Sequence, residues 1–187
     1  MAELFLQIAV SLDGYIEDAN QNIEWMEFDP TVDPVITSTL QSIDGMIFGR
    51  RAHALLNQFW PRGAEVPGAS EDLIEQARLM NDLPKYVLTH GPEATGWANS
   101  HTIRIDDITK LKDQASRPIA LFAGASAAQS ALQHDLVDEI RLIQQPVVLG
   151  AGTPLFAADG KRRNLMLIEC RTFASGAVLS RYRVKKH

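Results

Sequence analysis

Two apolar segments, each followed by a glycine or an arginine pair and then by a helix-forming stretch, constrain the fold of this chain most. The first is GMIFG at 45–49, before Arg50-Arg51 and a stretch that runs to Phe59. The second is PIALFA at 118–123, before GASAAQSAL at 124–132. A short run that is apolar on both faces predicts a strand covered on both sides, as in a parallel sheet whose strands are joined by helices. The pattern therefore predicts two βα units.

The remaining segments extend this prediction to a whole domain. Residues 3–10 predict a first buried strand, Asp33-Pro34 predicts a helix start, and further strands are expected at 86–89 and 102–105. From Val137 onward, β-rich segments at 137–148, 165–173 and 177–184 leave no room for helices between them. The order predicts an α/β domain over 1–187, a three-layer α/β/α architecture with a mixed sheet and antiparallel C-terminal strands.

Composition excludes several classes of protein. The formal charge of −5 and the 45% hydrophobic content predict a globular chain with no affinity for nucleic acid or membranes. No long apolar run predicts a membrane span, and the N-terminal segment predicts a strand and not a signal peptide. One cysteine, Cys170, excludes an internal disulfide and a multi-cysteine zinc site, so we expect a cytoplasmic protein. Cys170 itself falls in a predicted strand and is expected to be buried.

The junction at Gly124, Ala125 and Ser126 is the strongest candidate binding site. Glycine at the end of a strand allows close approach of a ligand, and the unpaired N–H groups of the following helix favour an anion such as a pyrophosphate. The alternative is structural, with Gly124 forming a tight turn and Ser126 capping the helix.

Gly49-Arg50-Arg51 repeats this arrangement after the earlier strand. Guanidinium groups bind phosphates in a bidentate manner, so the two junctions together could hold one extended anionic ligand. The alternative is a solvated first turn of a helix. Cations at a helix N-terminus oppose the helix dipole, however, which favours a functional role.

Two carboxylates are candidate proton donors or anchors for a heterocycle. Asp13 follows the first strand and Asp33 opens the next helix, so both could face one cleft. Their structural alternatives are a turn for Asp13-Gly14 and a helix cap for Asp33. Between them lies a long loop with Trp25, Met26 and Phe28, which either covers a planar ligand or packs on the core.

Two further features of the sequence argue against a dinucleotide-binding fingerprint and a metal site. Gly150-Ala-Gly152 begins like a dinucleotide fingerprint, but Leu155 stands where a third glycine is required and no helix follows. The five histidines have no metal-ligand spacing, so no metal site is expected.

Six segments occur in an order and at a spacing that resemble a known family. They are SLDGYI at 11–16, IFGRR at 47–51, KYVLT at 85–89, FAGAS at 122–126, LVDEI at 136–140, and PVVLGAG at 146–152 with Leu155-Phe156 after it. Together they resemble the dihydrofolate reductase-like superfamily, and within it the reductase domain of bacterial riboflavin biosynthesis, the RibD C-terminal type. The resemblance spans essentially the whole chain.

The resemblance implies an NADPH-binding reductase that forms homodimers through its late strands. It implies that Gly124, Ala125 and Ser126 hold the pyrophosphate, that the adenosine-phosphate side lies against Gly49, Arg50, Arg51, Thr89 and His90, and that the nicotinamide borders Ala9, Ser11 and Gly14. Asp33 is a positional match for the acid of the folate-reducing branch. In this family the cofactor supplies the hydride chemistry and the protein positions the substrate.

The sequence also departs from the family. Ala52 stands where a threonine is usual, and Ala123 replaces the first of two usual glycines. With one cysteine, the zinc deaminase half of the bifunctional riboflavin enzyme is excluded. We therefore predict an NADPH-dependent reductase of a small nitrogen heterocycle, similar to the enzyme that reduces 5-amino-6-(5-phosphoribosylamino)uracil. The alternatives are dihydrofolate reductase activity and a non-catalytic, nucleotide-binding dimeric scaffold.

Overall fold

The computed structural model describes residues 1–27, 29–92, 96–122 and 124–185. Phe28 and Ala123, on which two of the predictions rest, lie outside the described residues. The strands are β1 Leu4–Val10, β2 Tyr15–Glu17, β3 Gly45–Gly49, β4 Lys85–Leu88, β5 Ser100–Ile103, β6 Ile119–Phe122, β7 Glu139–Gln144, β8 Thr153–Pro154, β9 Leu165–Thr172 and β10 Val178–Val184. The helices are α1 Asp33–Gln41, α2 Arg50–Leu56, α3 Glu71–Asp82, α4 Asp107–Gln114 and α5 Ala125–Gln133, with a 3₁₀ helix at Trp60–Glu65.

One mixed sheet organises the fold, with strand order β5-β4-β3-β6-β1-β7-β10-β9. Its first six strands are parallel, and β10 and β9 complete it as antiparallel strands. The predicted α/β class and the antiparallel C-terminal strands are confirmed. Strands β2 and β8 pair separately as a small ribbon.

Two apolar layers cover the sheet. On one face, α4 and α5 pack on alternate residues of the central strands through Ile108, Ala128 and Leu132. On the other face, α1 and α3 contribute Leu40 and Met80 to a cluster around the strand side chains. Because the central strands are covered on both sides, β1, β3 and β6 are apolar at nearly every position. The three-layer prediction is confirmed. No helix in the described ranges is both long and apolar enough to cross a bilayer.

Strand β9 shows why Cys170 does not behave as expected. This strand lies at the edge of the sheet beyond the helical layers, and Cys170 is exposed. The prediction of a buried cysteine is wrong, because the β-forming pattern of 165–173 does not distinguish a central strand from an edge strand. Leu165, Met166, Leu167 and Ile168 are also exposed, by 37 to 55%.

Helix α1 begins at Asp33, as predicted, but the side chains suggested as caps of α1 and α5 do not cap these helices. Ser70 caps α3, since its hydroxyl accepts a hydrogen bond from Leu73 N at 3.1 Å. Asp33 and Asp107 lie inside the first turns of α1 and α4, after Val32 and Asp106. Ser126 likewise lies in the first turn of α5, whose N-cap is Gly124 and has no side-chain cap. The helix caps given as the structural alternatives for Asp33 and Ser126 are therefore not formed.

A close backbone contact joins the β2–β8 ribbon to the loop before β8. A Cβ atom built on Gly152 would lie 2.0 Å from the carbonyl oxygen of Glu17, and Gly152 has a φ of 149°. We expect Gly152→Ala to lower the free energy of unfolding by about 2 kcal/mol, because neither backbone segment can yield without breaking the ribbon. Urea denaturation measures this change.

Gly150→Ala is the matched control, since Gly150 also has a positive φ but has open space around its Cα. Its cost should be limited to backbone strain of about 1 kcal/mol. Equal losses in the two variants would contradict the steric interpretation.

Candidate functional site

A cleft of about 1550 Å³ opens at the carboxyl ends of the parallel strands. Strand-end residues Ala9, Gly49, Leu88 and Phe122 line it, together with the first turns of α2 and α5. Ligand clefts usually measure about 300–1000 Å³, so this one has room for two molecules side by side. Its position follows from the topology, because parallel strands end together and their loops leave a crevice there.

The two βα junctions predicted from the sequence meet at the floor of this cleft. A Cβ atom built on Gly124 would lie 3.2 Å from Gly49 Cα and 3.3 Å from Gly49 N. Gly124 also has a φ of 102°, which glycine adopts without strain. The first N–H groups of α5 have no side-chain cap, and Gly124, Ala125 and Ser126 line the cleft. The junction thus has the features of an anion site.

Positive charge collects at one end of the cleft. The guanidiniums of Arg50, Arg51 and Arg104 line it, next to Thr89 and the imidazole of His90. Arg50 Nη1 donates to the carbonyl of Pro92 at 2.9 Å, and the guanidinium of Arg104 donates to the carbonyl of Thr89. Arg104 was missed by sequence reasoning. The sequence could have indicated it, because Arg104 directly follows the short strand β5 and parallel strands end at the same edge of the sheet as Thr89.

Arg51 is linked to the small ribbon. Its Nη2 lies 3.0 Å from Glu17 Oε1, and it also donates to the carbonyl of Gln21 at 3.3 Å. Glu17 Oε2 in turn accepts a hydrogen bond from Thr153 Oγ1 at 3.1 Å. The guanidinium is more than half exposed, so a ligand phosphate can approach it from the cleft.

The loop after β2 contributes apolar side chains to the cleft. Ile23 and Met26 line it. Trp25 does not, and its Nε1 donates to the carbonyl of Asn22 at 3.1 Å. Of the three residues predicted to cover a ligand, Met26 therefore lies at the cleft and Trp25 turns back on its own loop.

Asp13 does not line the cleft and holds two loops together. Its carboxylate accepts hydrogen bonds from Ser11 Oγ at 2.7 Å, Gly150 N at 2.8 Å and Leu149 N at 3.1 Å. The Ser11 hydroxyl and these backbone N–H groups hold the pKa of the Asp13 carboxyl below its ordinary value. A carboxylate held ionised by donors is a poor proton donor, so the geometry gives Asp13 a structural role.

Ser11 and Gly14 belong to the same turn and also lie outside the cleft lining. Ser11 is fully buried, and its hydroxyl oxygen accepts a hydrogen bond from Tyr15 N at 2.9 Å. Gly14 has a φ of 89°, and its carbonyl accepts from Leu155 N at 3.0 Å. Of the three residues expected at the nicotinamide, Ala9 alone reaches the cleft.

Asp33 is also absent from the cleft lining. Its backbone carbonyl accepts from Thr37 Oγ1 at 3.0 Å and from Gln76 Nε2 at 3.2 Å, between α1 and α3. Partial burial raises the pKa of its carboxyl, and the nearby Asp72 and Asp29 act in the same direction. The predicted catalytic role of Asp33 requires a carboxylate in the cleft, and the geometry does not supply it.

Gln7 lines the cleft and was not predicted. It lies on β1 with 4% of its surface exposed, and its Nε2 finds no hydrogen-bond partner among the described residues. Its Oε1 faces Thr39 Oγ1 at 3.4 Å. The signal was present in the sequence, because Gln7 is the one polar residue within the apolar strand LFLQIAV.

Within the described part of the chain, no group of three or more histidine, cysteine, aspartate or glutamate side chains is placed to hold a metal ion.

The loop bridge at Asp13 should make stability depend on pH. Because the folded pKa lies below the unfolded one, the contribution is complete above the ordinary pKa of 3.8 and is lost as pH falls through the folded value. Asp13→Asn should therefore unfold at lower urea concentration than the wild type at pH 7, and the difference should shrink toward about pH 3. Asp113→Asn, at an exposed position on α4, should show no difference at either pH. A pH-independent loss in Asp13→Asn would contradict the role of its charge.

Solved structures of related shape share this arrangement of sheet and helices. A putative riboflavin biosynthesis protein from Shewanella sp. PV-4 superposes with a TM-score of 0.77 at 21% identity, covering 100% of both chains. A dihydrofolate reductase from Enterococcus faecalis, complexed with NADP(H) and RAB-propyl, gives a TM-score of 0.65 at 11% identity and covers 98% of this chain and 97% of its own. At such identities the likeness establishes the fold.

Sequence comparison establishes the family. The uncharacterized protein YyaP of Bacillus subtilis (strain 168) is 36% identical over 180 residues, which cover 94% of this chain and 91% of that protein. A family model described as the RibD C-terminal domain matches residues 2–179. The sheet, the paired glycine junctions and this match over nearly the whole length agree, and the chain belongs to the RibD C-terminal domain family.

Proposed function

We propose that this protein is an NADPH-dependent reductase of a small nitrogen heterocycle. The observation that carries the proposal is the contact between Gly49 and Gly124 beside the uncapped N-terminus of α5, at the floor of the cleft. A side chain at Gly124 would occupy this space, so the junction leaves backbone N–H groups accessible to a pyrophosphate. Membership of a family with reductase members supports the same activity.

Different residues of the cleft fit the three parts of a dinucleotide cofactor. The first turn of α5 would hold the pyrophosphate, and Ala9 would border the nicotinamide. The adenosine side and its phosphate would be held by Thr89 and three guanidiniums, those of Arg50, Arg51 and Arg104, because each guanidinium can bind two phosphate oxygens. The related dihydrofolate reductase was solved with NADP(H), which supports this choice of cofactor.

When bound, the cofactor would supply a hydride from C4 of its nicotinamide. The residues of this chain would position the substrate against the cofactor and exclude water. Ile23 and Met26, from the loop after β2, contribute apolar surface above the strand ends and would limit the access of water to the reacting atoms.

The geometry favours this proposal over its two alternatives. Dihydrofolate reduction of the usual kind would use an acid at the position of Asp33, which lies outside the cleft lining. A scaffold without cofactor would be indicated by a blocked cleft, but Ala52 lines an open one. The single cysteine and the proposed NADPH dependence favour a location in the cytoplasm.

Titration of the purified protein with NADPH and NADH tests the proposal. We expect NADPH to bind, and Gly124→Ala to raise its Kd about tenfold or more, because the added Cβ forces the two junctions apart. Gly68→Ala is the control, since Gly68 also has a positive φ but lies in open space away from the cleft. If neither cofactor binds at millimolar concentration, the proposed function is wrong.

Arg50 and Arg51 should give the preference for NADPH over NADH. Replacing both by alanine removes two guanidiniums from the basic end, so we expect the preference to fall about tenfold or more while NADH affinity changes little. Arg62→Ala, outside the cleft lining, is the matched loss of charge. A preference unchanged in the double variant would refute the assigned role and leave Arg104 as the remaining guanidinium of the basic end.

We also propose that the protein forms a homodimer through β9. This strand ends the sheet, and its four consecutive apolar residues Leu165–Ile168 are exposed. An apolar edge strand with unpaired backbone groups pairs readily with another strand. Light scattering should give the mass of a dimer for the wild type and of a monomer for Ile168→Lys.

Ile74→Lys is the control for this measurement, because Ile74 is also an exposed apolar residue but belongs to helix α3 and not to the edge strand β9. It should remain dimeric. A monomeric wild type at micromolar concentration would overturn the dimer proposal and leave the reductase proposal intact.

A further inference from the structure

Helix α2 has one buried side chain, His53, on a face that does not line the cleft. Its imidazole ring packs beside Trp97 and Phe48, with ring centroids 5.4 and 6.4 Å away. Its Nε2 lies 2.8 Å from Ser100 Oγ on β5, and this hydroxyl is the one hydrogen-bond partner of the ring among the described residues. We call these four side chains, together with that of Lys85 on β4, the His53 cluster.

Lys85 supplies the positive charge of the His53 cluster. Its side chain is fully buried, and its Nζ donates to the carbonyls of Met80 at 2.8 Å, Asn81 at 3.0 Å and Leu83 at 2.8 Å at the end of α3. The ammonium also lies 4.9 Å from the centre of the Trp97 ring. Carbonyls at a helix C-terminus and an aromatic face both stabilise a cation. The cluster therefore accommodates one cation, whose three N–H donors are all used.

The surroundings of the cluster offer little to balance a second positive charge. Among the described residues, neither His53 nor Lys85 forms an ion pair with a carboxylate. Asp82 acts on Lys85 from a distance, but it is exposed and paired with Arg78 at 2.9 Å. Arg50, one turn before His53 on α2, is a further cation. Strand β3 and the residues of β5 that face the cluster contribute no titratable side chain.

This environment disfavours the protonated form of His53. Burial lowers the pKa of its imidazole below the ordinary value of 6.5, and the Lys85 ammonium acts in the same direction. In the unfolded chain the imidazole takes up its proton at a higher pH than in the fold. The contribution of His53 to stability is therefore complete above pH 6.5 and decreases as the pH falls from 6.5 toward the folded value.

We propose that His53 is an acid-sensitive switch, which holds α2 and Trp97 in place when it is neutral and releases them when it is protonated. A protonated ring would be a second buried cation beside Lys85, with one hydroxyl as its acceptor, and a buried charge without a counter-charge is costly. Because α2 packs on β3 and β4 through this face, its release would also shift the first turn with Arg50 and Arg51. The switch depends on the packing of α2 and not on the proposed reductase function.

An NMR titration of ¹⁵N-labelled protein from about pH 7.5 to about pH 5 tests the switch. The indole N–H of Trp97 donates to Asn81 Oδ1 at 2.8 Å, so its signal reports whether Trp97 stays in place. Trp97→Phe identifies this signal among those of the three tryptophans. The imidazole signals of His53 are followed in the same samples, and the backbone amide signals of β1 report whether the sheet remains folded.

The variant is His53→Gln, which stays neutral over this range and keeps a polar group to meet Ser100. The matched control is His101→Gln. His101 is the next residue on β5 and therefore points to the other face of the sheet, where it is exposed and stacks on Tyr86 with ring centroids 6.1 Å apart.

We expect the Trp97 indole signal of the wild type and of His101→Gln to change below about pH 6.5, with the same midpoint as the His53 imidazole, while the amide signals of β1 stay in place. In His53→Gln the indole signal should not change. The urea midpoint should fall with decreasing pH in the wild type and in His101→Gln, and should fall less in His53→Gln.

The wild type alone can overturn the proposal, so it remains testable if His53→Gln does not fold. His53 titrating at or above 6.5, His53 remaining neutral down to about pH 5, or an unchanged Trp97 signal while His53 titrates would each do so. Loss of the β1 amide signals over the same range would show global unfolding and would also overturn a local switch. An equal acid response of the Trp97 signal in His53→Gln would assign it to another group.

Discussion

The close approach of Gly49 to Gly124 is the constraint on which the cleft depends. Two parallel strands, β3 and β6, are neighbours in the sheet, and the turns that follow them meet with no space for a side chain between them. Any larger residue would force apart the first turns of α2 and α5. Because Gly49 and Gly124 carry no side chains, backbone N–H groups face the cleft directly. The dipole of α5 then acts on any ligand bound at its N-terminus.

Charged and apolar side chains line different parts of the cleft. Guanidiniums lie at the ends of the outer parallel strands, where a phosphate can remain partly solvated, while the cleft lining from α1, β6 and the 3₁₀ helix consists of apolar side chains. Charged groups are costly to bury without partners, so this division favours an anionic part of the proposed cofactor at the guanidiniums. The loop after β2 lines the cleft through Ile23 and Met26, and its Gln21 carbonyl accepts a hydrogen bond from Arg51.

The two residues that the sequence suggested as proton donors, Asp13 and Asp33, make structural contacts instead. Asp13 gathers a hydroxyl and two backbone N–H groups, which ties the turn after β1 to the loop before β8. Asp33 lies at the junction of α1 and α3, where Gln76 holds its backbone carbonyl. Both are carboxylates near strand or helix ends, and sequence proximity to a predicted cleft does not fix the direction in which a side chain points.

The sequence by itself determined the alternation of strands and helices, the antiparallel end of the sheet and the two glycine junctions, because these follow from local hydrophobic pattern and backbone freedom. Only the tertiary structure decided which residues meet. The insertion of β6 between β3 and β1 brings Gly124 to Gly49. The edge position of β9 exposes Cys170, and the packing of α1 on the sheet leaves Gln7 Nε2 without a hydrogen-bond partner among the described residues. Each depends on contacts between residues far apart in the chain, which local patterns do not encode.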